Sequence, residues 1–284
     1  MTELILINEE RGESVRFGRD GFCLDTYDIR SAAATHNTYA GYAQNGEYRI
    51  SSRLTRRRIL LTFHLTAENG EAMEAKKRLL TRVADPTGEF VLGIGEKRIL
   101  CCAEGTAEFS ERPPDRKGLT VRGSLTLLCL SPCFYGETPR RAVYGAYESL
   151  LSFPVSIPEE GVVMGYMPVG QTLRLTNGGD IAVGMTVTVT AISDCAHFVL
   201  STLDGSESFR FDRALGAGQV LRFATEYGKK SATLTEEGVT RAALQYVDPA
   251  SVFFLLPPGE NLFTYDAGGG SCRIELELWE KYLI

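Results

Sequence analysis

Three histidines, seven cysteines and thirty-six acidic residues are the groups from which this sequence could assemble an active site or a metal site. His36, His64 and His197 stand far apart, none in the His-x-x-x-His or His-Glu spacing that puts two ligands, or a ligand and a base, on one helix face. Cys129-x-x-x-Cys133 approaches the spacing of a zinc ligand pair, but no second Cys/His pair completes a tetrahedral set. The chain has no Gly-x-Ser-x-Gly, so it lacks the strand-to-helix elbow that exposes a nucleophilic serine. Gly41-x-x-x-x-Gly46 runs into Glu47-Tyr48, where a phosphate-cradling loop needs Lys and then Ser or Thr. Gly93-Ile94-Gly95 lacks a third glycine. Glu159-Glu160 and Glu236-Glu237 each precede a glycine, and Asp204 and Asp248 stand in loop-like sequence. These read as solvated turns and not as the carboxylate pair of a glycosidase. Trp279, the single tryptophan, reads as a core or edge aromatic before it reads as a sugar platform. The sequence thus offers no catalytic set, no metal ligands and no cofactor motif.

The elements that would have to position any such residues are strands. Aromatic and β-branched residues recur in short runs separated by Gly, Asn and Asp, the pattern of a mainly β protein. One helix is expected, from about residue 68 to residue 84. Ala72, Ala75, Leu79 and Val83 fall at intervals of three and four with Met73 and Leu80 beside them, acidic residues lead, basic residues trail, and Asp85-Pro86 ends it. It lies between an expected strand at Arg58–Leu65 and another at Glu89–Leu92. A long strand over Leu119–Leu130, closed by Ser131-Pro132-Cys133-Phe134-Tyr135-Gly136, ends a first unit. The organisation read here is a first domain over 1–136, a linker over 137–152 and a second domain over 153–284. In the second domain Met185, Val187, Val189 and Ala191 alternate with Thr186, Thr188 and Thr190. Cys272, Ile274, Leu276 and Leu278 alternate with Arg273, Glu275, Glu277 and Trp279. Both are half-buried strands of an antiparallel β-sandwich. Asn177-Gly178-Gly179-Asp180 and Pro257-Pro258-Gly259-Glu260-Asn261 are read as structural turns.

Charge divides the chain as the strands do. Residues 1–142 carry 21 Lys and Arg against 19 Asp and Glu, and residues 143–284 carry 9 against 17. An acidic second half disfavours a phosphate backbone as ligand. The cysteines sit mostly among apolar neighbours, as small hydrophobes of a reducing compartment do. The first residues lack the basic and apolar regions of a secretory signal, and no apolar run approaches the ~20 residues of a membrane span. Synthesis in a cytoplasm without membrane insertion is expected.

Residues 31–52 stand apart. A stretch rich in Tyr, Gly and Asn contains Tyr39, Tyr42 and Tyr48 and the Asn45-Gly46 turn signal, and Arg53, Arg56, Arg57 and Arg58 follow. This reads as an extended loop or projecting hairpin. Its tyrosines and arginines are candidate subunit-interface residues, because both residue types are enriched at interfaces.

Taken in order, several segments resemble the distal tail proteins of long, non-contractile-tailed phages. In the first unit these are Arg57-Arg58-Ile59-Leu60-Leu61-Thr62-Phe63, the Ala75–Leu80 helix, Ala84-Asp85-Pro86, Val91-Leu92 and Ser131-Pro132-Cys133-Phe134-Tyr135. In the second they are Leu175-Thr176-Asn177-Gly178-Gly179-Asp180, Leu215-Gly216-Ala217-Gly218 with Leu221-Arg222-Phe223, Phe253 through Asn261, and Ile274-Glu275-Leu276. Where relatives carry a proline soon after the Asn-Gly-Asp turn, this chain has Ala182-Val183-Gly184. The resemblance implies an N-terminal β-sandwich with one α-helix that assembles into a ring, a hexamer, continuing the tail tube. It also implies a galectin-like C-terminal β-sandwich that projects outward. It places the protein at a phage or prophage tail tip, assembled in the host cytoplasm. The implied partners are further copies of the chain, the tail-tube protein, a tail-associated hub or lysin protein, the tape-measure protein and receptor-binding proteins. DNA would pass the lumen without specific binding. The rival expectations are a carbohydrate-binding sandwich that contributes to host adhesion and a cell-wall hydrolase.

Overall fold

The computed structural model describes residues 3–110, 119–145, 148–149, 165–166 and 172–284. The chain forms two units, Met1–Glu137 with Tyr282–Ile284, and Thr138–Lys281.

The first unit runs β1 (Leu4–Asn8), β2 (Glu13–Phe17), β3 (Phe22–Ile29), β4 (Ala34–Tyr39), β5 (Tyr48–Leu54), β6 (Arg57–Ala67), α1 (Gly70–Val83), β7 (Phe90–Ile94), β8 (Lys97–Ala103), β9 (Glu108–Phe109), β10 (Leu119–Cys129) and β11 (Phe134–Gly136). All but β4 and β5 join one antiparallel sheet of order β2-β1-β7-β8-β10-β6-β3, with β9 paired to β10 and β11 to β8. Its halves meet at β8–β10, where only Leu127 with Ala103 and Leu128 with Cys102 are in register. By contrast β6 and β10 pair from Ala67 with Leu119 to Arg57 with Cys129. Alternate residues of β6 (Ile59, Leu61, Phe63, Leu65) and of β1 (Leu4, Leu6) point into one shared core with Leu125, Leu127 and the helix residues Met73, Leu80 and Val83. Phe63 lies opposite Gly123, and a Cβ there would stand 2.8 Å from the ring, so the glycine makes the room that the phenyl fills.

Helix α1 starts two residues later than expected, at Gly70. Asn69 is the N-cap, its Oδ1 accepting from the Ala72 N–H at 2.8 Å. Its buried stripe is Met73, Leu80 and Val83, while Ala75 is exposed, so the inward face is rotated from the Ala72-Ala75-Leu79 line. Lys76 lies on the turned-in side, and its Nζ donates to the Thr66 carbonyl at 2.6 Å.

The second unit runs β12 (Arg140–Tyr144), β13 (Glu148–Ser149), β14 (Gly165–Tyr166), β15 (Leu173–Asn177), β16 (Met185–Ala191), β17 (Phe198–Thr202), β18 (Ser208–Phe211), β19 (Val220–Ala224), β20 (Ser231–Glu236), β21 (Val239–Ala242), β22 (Gly259–Asp266) and β23 (Cys272–Leu278). One antiparallel sheet has the order β12-β23-β16-β19-β20-β21 and the other β15-β22-β17-β18, with β13 and β14 forming a separate ladder. The two larger sheets enclose a core of Val187, Val189, Leu200, Phe209, Phe211, Phe223, Phe263, Ile274 and Leu276. The rings of Phe209 and Phe223 stack at 3.8 Å. Residues 140–144, placed in the linker by the sequence reading, are the edge strand of the six-stranded sheet, Ala142 facing Leu276 and Val143 facing Glu275. Of the rest of that linker, residues 146–147 and 150–152 lie outside the described residues.

Candidate functional site

Strands β4 and β5 pair only with each other, and every residue of both is exposed. The register pairs Thr35 with Arg53, Asn37 with Ser51 and Tyr39 with Tyr48, and a bulge at Ile50 shifts the ladder between Asn37 and Thr38. The ribbon is held at its base by the Thr55 N–H and Oγ1, both donating to the Ala33 carbonyl at 2.8 and 3.0 Å. Along its length Asn37 Nδ2 donates to Ser51 Oγ at 2.9 Å, and His36 Nδ1 and Ser52 Oγ share a hydrogen bond at 2.7 Å. The tip is wider than a two-residue turn at Asn45-Gly46. Residues 40–47 form the loop, with the Gln44 N–H donating to the Gly41 carbonyl and Ala43 and Gly46 both at positive φ. Tyr39 is 61% exposed, Tyr42 fully exposed, Tyr48 67% and Ile50 71%. A two-stranded ribbon with both faces and both edges in water is marginal by itself. Large aromatic and aliphatic groups displayed on it are the kind of surface that another protein covers.

The four arginines that follow part company. Arg53 and Arg56 are exposed, and Arg58 is exposed and paired with Glu104. Arg57 is not available to a partner, a correction to the sequence reading: it is 3% exposed. Strand parity explains it, since Arg57 has the same side as Ile59, Leu61, Phe63 and Leu65. Its guanidinium lies 5.2 Å from the Phe134 ring centroid and donates through Nη2 to the Leu283 carbonyl at 2.5 Å, while Nε has no partner among the described residues. The period-two pattern of Arg57 to Leu65 carried that signal.

The expected turns of the second unit are held by asparagine amides. Asn177 is buried, its Nδ2 donating to the Ile181 and Leu256 carbonyls at 2.9 Å each and its Oδ1 accepting from the Gly179 N–H at 2.9 Å. Gly179 lets the chain near Lys281 approach, where a Cβ would stand 2.5 Å from the Lys281 carbonyl oxygen, and the Asp180 N–H donates to that oxygen at 2.8 Å. Gly178 donates its N–H to Glu280. At the other turn Asn261 Nδ2 donates to the carbonyls of Pro257 and Gly259 at 3.0 and 3.1 Å, and Gly259 takes φ +106. Pro258 lies between them. These residues fix loops and present no reactive group.

The histidines outside the hairpin pair with carboxylates, His64 with Asp25 at 2.6 Å and His197 with Asp266 at 3.0 Å. The His197 hydrogen bond, then the Gly268 N–H, holds the Asp266 carboxyl below its usual range. Among the described residues no group of three or more His, Cys, Asp and Glu is placed to hold a metal ion. On the outer face of the six-stranded sheet a hollow of about 90 Å³ is lined by Arg141, Val143, Thr186, Thr188, Arg222, Glu275, Leu276 and Glu277, without an aromatic ring. Among the described residues no helix is long and apolar enough to cross a membrane.

Residues 178–282 match the family described as siphovirus-type tail component, C-terminal domain. All of the matched stretch but Tyr282 lies within the second unit. No curated protein sequence matches the chain. The fold of the whole chain is similar to the crystal structure of the SPP1 Dit protein, described as a paradigm of hub adsorption apparatus in phages infecting Gram-positive hosts. There the TM-score is 0.68 at 11% identity, over 98% of each chain. It is also similar to chains of the phage P2 baseplate in its activated conformation. With calcium the TM-score is 0.52 at 9% identity, over 98% of this chain and 97% of that one. With strontium it is 0.53 at 8%, over 96% and 97%. The chain is therefore mainly β with the fold of a siphophage distal tail protein, both units included.

Proposed function

We propose that this chain is a structural ring component of a phage or prophage tail tip, six copies joining the tail tube to the baseplate or receptor-binding apparatus. The observation that carries the reading is the β4–β5 ribbon, which extends from the first unit with both edges unpaired and Tyr39, Tyr42, Tyr48 and Ile50 uncovered. Its occupant is a second copy of the chain. A head-to-tail contact of this kind closes into a ring when its rotation permits. Each ribbon then lies against a neighbour, and Arg53, Arg56 and Arg58 contribute polar contacts at the seam. The family match of the second unit and the whole-chain likeness to hub and baseplate proteins support the location at a tail tip. In this reading the ring contacts the tail-tube, tail-associated hub or lysin, tape-measure and receptor-binding proteins, and DNA crosses the lumen unbound. The role is structural, not enzymatic. Light scattering on the eluted protein, with negative-stain microscopy, tests it. A ring is expected, alone or with tail-tube and hub partners, and Tyr39→Ser with Tyr48→Ser abolishes it. A wild-type chain that stays monomeric with all partners present overturns the proposal.

A further inference from the structure

We propose that Cys101 and Cys129 are a cross-strand disulfide site, open in a reducing compartment and closed by a small-molecule disulfide in an oxidising one. The strand register brings the two together. Glu104 donates its backbone N–H to the Thr126 carbonyl at 2.9 Å, and Leu128 pairs with Cys102 and Leu127 with Ala103. One step further along the ladder, Cys129 stands opposite Cys101. Counting from the bonded 104–126 pair, antiparallel alternation makes 101–129 a non-hydrogen-bonded position. Cα atoms at such positions are about 4.5 Å apart, within the roughly 4.4–6.8 Å that a disulfide requires. Both side chains point into the core, at 2% and 0% exposure, and their sulfurs are 3.1 Å apart. Cys102 turns to the opposite side and its Sγ donates to the Leu128 carbonyl at 3.4 Å, while in the second unit Cys195 directs its thiol to backbone carbonyls of Ser193 and Ser271.

The location gives the bond a consequence. The β8–β10 ladder is the narrow junction between the two halves of the first unit's sheet. A bond there ties the halves together and closes a loop over residues 102–128, which restricts the unfolded chain. The reaction is thiol–disulfide exchange. One protein thiolate attacks the external disulfide and expels one thiol, and the second protein thiolate then attacks the mixed disulfide and expels the other. The two protein sulfurs lose two electrons and two protons, and the external disulfide takes up both as two thiols. The hydrogen bond with Cys129, and then burial, push the Cys101 thiol far above its usual range, so thiolate forms only when the junction opens locally and closure is slow.

The test uses the full chain, reduced and folded, incubated with oxidised glutathione in native buffer. After acid quenching, unfolding and alkylation of free thiols, a non-reducing peptide map is read by mass spectrometry. The expected species joins the Cys101 and Cys129 peptides at a mass lower by two hydrogens, with a melting midpoint several degrees above that of the reduced protein. Cys129→Ala is expected to show no such rise. If that variant does not fold, the wild-type peptide map decides alone. Recovery of Cys101 and Cys129 both alkylated, both glutathionylated, or bonded to Cys102 or Cys133 instead overturns the proposal.

Discussion

Arg57 places a guanidinium in the core of the first unit with an aromatic face and a backbone carbonyl as its contacts, and no carboxylate ion pair among the described residues. The cation–π contact and the charge-assisted hydrogen bond are together worth about 2 kcal/mol, and the side chain also fills space. Arg57→Ala is expected to lower unfolding stability by about 2–3 kcal/mol in urea titration, and Arg57→Met to recover much of that by restoring apolar volume. Neither should stop ring formation, whereas exposed Tyr39 and Tyr48 should be sensitive. Asp85 yields a prediction in pH. Thr87 donates to its carboxylate through Oγ1 at 2.7 Å and through N–H at 2.9 Å, with Arg11 paired beside it, and these hold its pKa below the ordinary value of 3.8. A carboxyl lowered by folding stabilises above its unfolded pKa, and that contribution is lost as pH falls through the folded value. Melting midpoints below about pH 4 should therefore fall less steeply in Asp85→Asn than in the wild type.

Elements depend on side chains that bond backbone. Asn69→Ala removes the cap of α1 and is expected to cost about 1 kcal/mol in urea unfolding. Asn177→Ala removes the amide from the Ile181 and Leu256 carbonyls and from the Gly179 N–H, the Leu256 carbonyl keeping the Val183 N–H, and is expected to cost about 1–3 kcal/mol, read on a probe in the second unit. The same elements show what a sequence exposes. Alternation at Met185–Ala191 and Cys272–Leu278 was plain because one face of each strand is wholly apolar. The helix is plain as well: Met73, Leu80 and Val83 of its expected stripe turn inward, while Ala75 lies exposed, since alanines fit either side and packing on β1, β2 and β6 decides which turns in. Arg140–Tyr144 is short, and its partner Cys272–Leu278 lies far along the chain, so its membership in a sheet has no local signature. The hairpin was visible in Asn45-Gly46 and the tyrosines. The inward turn of Arg57 was masked by its place in a basic run, although the parity of its strand reveals it.

At the scale of the molecule, the charge step from the first half to the acidic second half coincides with two units of separate cores. In the first unit Tyr39, Tyr42, Tyr48 and Ile50 gather exposed aromatic and aliphatic surface on one ribbon, while Leu130 and Ile284 are exposed elsewhere. The acidic surplus belongs to the second unit and bears on that unit's surface. The most direct measurement is the mass of the assembled wild-type protein beside Tyr39→Ser/Tyr48→Ser, by light scattering with microscopy of the same fractions. The account predicts closed rings of six for the wild type, in the presence of its tail partners where it needs them, and folded monomers for the variant. Rings formed equally by both would contradict it.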